Sequence, residues 1–258
     1  TAAGAAEGPP ALSPPAPLSA EARAAAPARH TEADALRALL AAAAGGGGAP
    51  IRLLSGRWFI EHFQAHPAAR LEHRQWLERE HPEAFLGGEA LERVLAEVGE
   101  RSKQKNWRGK ELESLWYMAR AGGGEHRPLK QKYGGGIPIA FPSAAALSHM
   151  WLDPAHPDPD GLNLRREWLP ALEWYYSERV RQLWGATTAD GAPLSDEAVR
   201  AAADFGLFVD LASMCQKEAG ARTPAHDALF RTALGSLDVI YAHAGMASLL
   251  STRVPAGA

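Results

Sequence analysis

The chain has 258 residues, with 27 lysines and arginines against 30 aspartates and glutamates, so its formal net charge is −3. This balance excludes a globally basic nucleic-acid-binding protein, and the single cysteine excludes both a disulfide-stapled scaffold and a multi-cysteine zinc module. No apolar run approaches the ~18 residues that a membrane-spanning helix needs. We therefore expect no membrane span and an intracellular, cytoplasmic location, with organelle targeting left open because the sequence begins at Thr1.

Residues 1–50 form a low-complexity segment with 20 alanines, 7 prolines, 6 glycines and no aromatic residue. Such a composition buries too little apolar surface to offset the entropy of the chain, which predicts a mostly disordered tail. The exception is a short helix at about residues 31–44, in which Thr31 would cap a stripe of Leu36, Leu39 and Leu40.

Residues 51–133 predict a helical region, because apolar residues recur there at helical spacing. Four stripes carry this prediction: Trp58–Phe63, Leu71–Leu77, Leu91–Val98 and Leu112–Met118. Within this region, residues 101–132 hold nine basic and three acidic residues, a local charge of +6. They are a candidate surface for an anionic partner, although a solvated helix face explains the charge more simply; nucleic acid is not expected.

Residues 134–258 predict an α/β domain. Three strands are expected, at Ala144–Ser148, Phe205–Leu211 and Met246–Thr252. Between them we expect a long helix over Leu164–Trp184 that Pro170 kinks or restarts, a short helix over 195–203, and a helix beginning at Thr223-Pro224. The buried stripe of that last helix is predicted to contain Phe230, Ala233, Leu234, Leu237 and Tyr241. This order predicts a small parallel βαβαβ sheet with right-handed crossovers, which further sequence would complete or cover.

Two loops follow the first two predicted strands, and both carry polar and ionisable residues. In an open parallel sheet, ligands bind beyond the carboxyl ends of the strands, so loops from neighbouring strands would face each other there. The predicted pocket residues are Ser148, His149, Trp151, Asp153, Asp210, Ser213 and Gln216, and the candidate catalytic residues are Asp210, Cys215, His149 and Glu218.

Three chemical hypotheses compete for this pocket. The first is a nucleotide or sugar-nucleotide site, with Trp151 stacking on the ligand and Asp210 accepting hydrogen bonds from hydroxyl groups, although no glycine-rich phosphate loop supports it. The second is a metal site built from His149, Asp153, His156 and Asp158. The third is a Cys215 nucleophile that His149 activates. A purely structural explanation competes with all three hypotheses. In that explanation Asp210 caps a turn, and the His-Pro-Asp-Pro sequence forms a rigid surface turn.

Several motifs add a resemblance. They are Ser148-His-Met-Trp151, His156-Pro-Asp-Pro159, Leu207–Asp210, Cys215-Gln216, Arg222-Thr223 and Tyr241-Ala-His-Ala244. Over about residues 143–252 the chain resembles a family of algal and other protist proteins, and more distantly the heterokaryon-incompatibility (HET) domain, which is similar to Toll/interleukin-receptor (TIR) domains. It departs from the HET pattern in having His149 where that family has tyrosine, and in the adjacent Cys215 and Gln216.

The resemblance implies a flavodoxin-like α/β domain, with either a signalling-assembly role or, through the TIR relatives, cleavage of NAD. The NAD-cleaving role needs a glutamate on a helix beside the site, and Glu218 lies in a predicted loop instead. We therefore expect a HET/TIR-like interaction module that binds a protein partner or forms a homo-oligomer. The alternatives are an enzyme that processes NAD or another nucleotide at this pocket, and a structural subunit of a larger complex.

Overall fold

A computed structural model describes residues 33–40, 48–103, 141–149, 151–153, 156–188, 190–217, 221–243 and 245–251. The helices are α1 (Ala33–Leu40), α2 (Gly56–Ala65), α3 (Arg74–Glu80), α4 (Gly88–Lys103), α5 (Leu169–Leu183), α6 (Asp196–Ala203), α7 (Asp210–Ser213), α8 (Pro224–Leu234) and α9 (Leu237–Ala242). The strands are β1 (Leu54–Ser55), β2 (Ala144–His149), β3 (Gly206–Val209) and β4 (Ala247–Ser251). Within these residues, no helix is long and apolar enough to cross a membrane.

The four strands form one mixed sheet in the order β1-β3-β2-β4. β2 runs parallel to both β3 and β4, whereas β1 pairs antiparallel with β3. The chain passes from β2 to its neighbour β3 and then returns across β2 to reach β4. This reversal beside β2 is the arrangement that opens a crevice at the carboxyl ends of parallel strands.

Helices cover both faces of the sheet. On one face, Ala145, Leu147, Leu207 and Val209 pack with apolar residues of α2, α3 and α5. On the other face, Ala144, Ala146 and Phe208 pack with apolar residues of α1, α4, α8 and α9. Burial of alternate strand residues on opposite faces explains why these strands read as continuous apolar runs.

The α/β class and the three parallel strands follow the sequence prediction, but the sheet also contains the antiparallel strand β1. With only two residues, β1 is too short to show a strand period, and it lies at the start of the region predicted to be helical. The strand predicted to run to Leu211 ends instead at Val209, because Asp210 begins α7. The predicted domain boundary at 133/134 lies outside the described residues, and residues 51–103 supply β1 and helices on both faces.

The structure confirms one helix prediction, the restart at Pro170, and corrects another. The long helix begins as a π-helical turn, Leu164–Trp168, and restarts as α5, with Pro170 in its first turn where no backbone donor is needed. The helix predicted from Thr223 breaks at Gly235 into α8 and α9. Because of this break Leu234 is 52% exposed, so its placement in the buried stripe was wrong.

The N-terminal helix predicted at Leu36, Leu39 and Leu40 is α1, and these leucines are 0%, 6% and 6% exposed. At the end of the predicted tail, Ala49 and Pro50 are buried in the fold. Outside the described residues lie residues 1–32 and 41–47, the stripe at Leu112–Met118 and residues 104–132 of the basic stretch. Arg101, the first basic residue of that stretch, is buried and donates a hydrogen bond to the Phe141 carbonyl. Its guanidinium is therefore not part of an exposed basic surface.

Candidate functional site

The carboxyl end of β2 places a histidine inside the protein. Residues of β2 alternate between the two faces, so Ser148 and His149 point to opposite sides of the sheet. The side chain of His149 is 1% exposed, and its ring lies 4.5 Å from the ring of Trp168, which is also buried. Neither ring nitrogen of His149 has a well-formed hydrogen-bond partner among the described residues. Burial lowers the pKa of His149, although Asp210 and the Leu147 carbonyl favour the protonated ring.

Asp210 joins the loops that follow β2 and β3. Its Oδ2 accepts a 2.9 Å hydrogen bond from the indole Nε1 of Trp151, and its Oδ1 accepts one of 2.7 Å from the Leu211 amide. Oδ1 also lies 3.6 Å from Nε2 of His149. The side chain of Asp210 is 27% exposed and Trp151 is 41% exposed. The two loops therefore meet at this carboxylate, as the sequence prediction of facing loops required.

On the opposite face, Ser148 meets α9. Burial is the main cause of the raised pKa of the Tyr241 hydroxyl group. The nearby Asp210 carboxylate raises this pKa further, and the Ser148 side chain lowers it. Tyr241 is not among the predicted pocket residues. Its membership in the resemblance motif Tyr241–Ala244 was the signal that could have placed it there.

These contacts define a group of polar and aromatic side chains that we call the β2-edge site: Ser148, His149, Trp151, Asp210 and Tyr241. Its exposed part is an indole whose N–H is already bonded to a carboxylate. Its buried part is a neutral imidazole that faces the same carboxylate. The group can accept hydrogen bonds from a ligand at Asp210 and stack a planar group on Trp151. The buried ring of His149 lies next to the Asp210 carboxylate.

Two predicted pocket residues have structural roles instead. The Ser213 hydroxyl accepts a hydrogen bond from the Val209 amide, and this serine is fully buried. The Gln216 side chain donates hydrogen bonds to the carbonyls of Asp210 and Met214. The Gln216 backbone amide donates to Oε1 of Gln75, and its backbone carbonyl accepts from Nε2 of Gln75. Both residues therefore hold the loop after β3 in shape, rather than facing a ligand.

The four candidate metal ligands are not gathered around one point. Asp153 lies at the surface, and Asp158 accepts hydrogen bonds from the amides of Asn163 and Leu164, which begins the helix that follows. Both ring nitrogens of His156 are occupied, by the Leu71 carbonyl and the Asp158 amide. In the part of the chain that the structure describes, no three His, Cys, Asp or Glu side chains are arranged to hold a metal ion.

Among the remaining candidate catalytic residues, Cys215 lies away from His149. Cys215 is 1% exposed and lines a cleft together with Arg74, Glu78 and His226, so the histidine on its side of the molecule is His226, not His149. The antiparallel bridge between Ile51 and Met214 explains this, because it carries the chain past β1, away from β2. Glu218 lies outside the described residues.

The outer edge of β4 is the second notable feature of this region. β4 pairs with β2 on one side, in the register Ser148↔Leu250 and His149↔Ser251, and no described strand pairs with its other side. Leu250 is 51% exposed there. Neither a charged residue nor a proline interrupts Ala247–Ser251. Among the described residues, the strand therefore carries neither of two common protections of a sheet edge, a charged side chain or a proline.

Comparisons of the chain with protein-family models, with curated proteins and with solved structures give no match.

Proposed function

We propose that this chain is an interaction or signalling-assembly module of the HET/TIR-like kind, built on a flavodoxin-like α/β domain. In this proposal it assembles with a second copy of itself through the outer edge of β4. The observation that carries the proposal is the outer edge of β4, without charge or proline and with its exposed leucine. An intracellular location belongs to the same proposal and stays a prediction.

An edge strand offers a row of backbone donors and acceptors that another extended strand can complete. β4 runs over five residues without charge or proline, so none of its own residues opposes backbone pairing along it. Leu249 packs against the core, whereas Leu250 does not. The side chain that would gain most from a partner is therefore Leu250.

A second copy is the occupant that this strand fits by symmetry. Two β4 strands that pair antiparallel about a twofold axis make the same contacts in both directions, which is how most homodimers form. An antiparallel register centred on Leu250 places two half-exposed leucine side chains next to each other. Burying both removes from water the apolar surface that the monomer leaves exposed.

The test compares two leucine substitutions with matched exposure. Leu250→Lys puts a charge on the β4 edge, and Leu234→Lys puts the same charge on α8, where the leucine is equally exposed (51% and 52%). We expect sedimentation velocity to show concentration-dependent dimers for the wild type and for Leu234→Lys, and monomers for Leu250→Lys with unchanged thermal unfolding. A wild type that stays monomeric up to about 100 μM, or a Leu250→Lys variant that dimerises equally well, overturns the proposal.

A nucleotide-processing enzyme is the second candidate, and the pairing of exposed Trp151 with Asp210 at the carboxyl edge favours it. Incubation with NAD and assay of released nicotinamide separates the two functions. Turnover that Asp210→Ala abolishes supports the enzyme. Absence of turnover in a protein that dimerises through β4 supports the assembly module.

A further inference from the structure

Away from the β2-edge site, the most unusual charged residue is Arg74 on α3. It is only 2% exposed. Its Nε donates to Glu78, and its Nη1 donates to the carbonyls of Pro50 and Ser213. Its Nη2 has no hydrogen-bond partner among the described residues. A β-carbon at Gly48 would lie 3.5 Å from this nitrogen, so the absence of a side chain at Gly48 leaves it uncovered.

Two adjoining clefts of about 310 and 660 Å³ meet at this guanidinium, and both are lined by Gly48, Arg74 and Glu78. The walls of the larger cleft are mostly apolar and come from Pro50 and one side of α8. A volume of this size suits a small organic molecule. A ligand would therefore find an apolar cleft with one strong, buried hydrogen-bond donor.

The charges around the clefts leave an excess of positive charge. Glu78 is shared, because its Oε1 accepts from Arg74 at 2.9 Å and from Arg52 at 3.3 Å. Two guanidiniums and one carboxylate sum to +1 at this place. The first turn of α8, with Ala225 and His226 in the lining, adds the partial positive charge of a helix N-terminus.

We propose that this cleft binds a small organic oxyanion, a carboxylate or a phosphate carried on an apolar body, whose oxygens accept a hydrogen bond from Nη2 of Arg74. The apolar body of the ligand lies along α8 between Ala228 and Pro50. This site is independent of the proposed assembly through β4, which lies at the other edge of the sheet.

The experiment is calorimetric titration of the full chain with three probes that share one apolar body: hexanoate, hexyl phosphate and 1-hexanol. A charge-assisted hydrogen bond is worth about 1.5–3 kcal/mol, so we expect at least one of the two anions to bind about tenfold or more tighter than the alcohol. Whichever anion binds more tightly identifies the carboxylate or the phosphate as the natural headgroup. Equal binding of all three probes, or no binding at about 10 mM, overturns the proposal.

Two variants locate the site. Arg74→Gln removes the donor. Because Arg74 also donates hydrogen bonds to the carbonyls of Pro50 and Ser213, binding by this variant is interpreted only if its unfolding temperature equals that of the wild type. Ala228→Phe instead fills the cleft from the exposed side of α8, and Ala201→Phe is the control at an exposed helical alanine outside the cleft. We expect about tenfold weaker anion binding for Ala228→Phe and no change for Ala201→Phe. Equal affinity in both variants contradicts the location.

Discussion

Replacement of His149 by leucine should stabilise the protein, although it removes a buried residue from the β2-edge site. Leucine has nearly the same volume as histidine, so the substitution leaves the packing intact. Histidine buries two ring nitrogens without a well-formed hydrogen bond, and a buried unsatisfied polar group costs about 1–3 kcal/mol. The ring contact with Trp168 at 4.5 Å is lost, at about 1 kcal/mol. The difference leaves about 1 kcal/mol of added stability.

The same variant has a pH signature whose sign follows from the pKa. Burial holds the pKa of folded His149 below 6.5, while the unfolded chain takes up a proton near 6.5. Below that pH the unfolded state binds more protons than the folded state, so wild-type stability falls on acidification by up to ~1.4 kcal/mol per pH unit. The His149→Leu variant does not lose stability on acidification in this way. Burial and the neighbouring histidines also lower the pKa of His62. Because His62 is present in both proteins, its effect cancels when their stabilities are compared.

Urea unfolding of the wild type and of His149→Leu at pH 7.5, 6.5 and 5.5 measures both effects. The advantage of His149→Leu over the wild type should grow as the pH falls. A His149→Leu variant that is less stable than the wild type by more than about 1 kcal/mol would refute the reasoning, because it would show that the ring nitrogens are satisfied. An advantage that does not change with pH would refute the pKa argument.

Two further predictions concern close packing and a partly buried ion pair. Gly245→Ala should cost about 1–3 kcal/mol in urea unfolding, because the added β-carbon would lie 2.5 Å from a backbone carbonyl oxygen of α4. Gly87→Ala, whose β-carbon meets nothing within 4 Å, should cost less than about 0.5 kcal/mol, and equal costs would contradict the account. Glu97→Gln should cost about 2 kcal/mol, because the carboxylate bridges to the buried guanidinium of Arg179 at 3.2 Å and is itself 35% exposed. An unchanged urea midpoint would show that this pair contributes nothing.

The three parallel strands could be predicted because each is an apolar run of suitable length between turn residues. β1 could not, because two residues carry no period and its pairing with Leu207 and Gly206 joins positions about 150 residues apart. The error at Leu234 has a local cause: the apolar spacing continues through Gly235, but the helix does not.

The candidate site was predictable in position but not in detail. The rule for parallel sheets brought the loops of Trp151 and Asp210 together correctly. Residue type alone does not show whether a polar side chain faces a ligand or bonds to its own backbone, and Ser213 does the latter. Likewise, Nδ1 of His156 accepts a hydrogen bond from the Asp158 amide in its own turn, and Nε2 bonds to the Leu71 carbonyl, so neither nitrogen faces a ligand. The direction of Cys215 depends on the bridge between Ile51 and Met214, which sequence spacing does not reveal.

The central claim is that the outer edge of β4 receives the β4 strand of a second copy. Hydrogen–deuterium exchange at low and high protein concentration tests it most directly, with the interior strand β3 as the internal reference. We predict that the amides of Ala247–Ser251 become more protected at high concentration, that β3 does not change, and that Leu250→Lys removes the gain. Protection that is equal at both concentrations, or that increases on the helices instead, would contradict the claim.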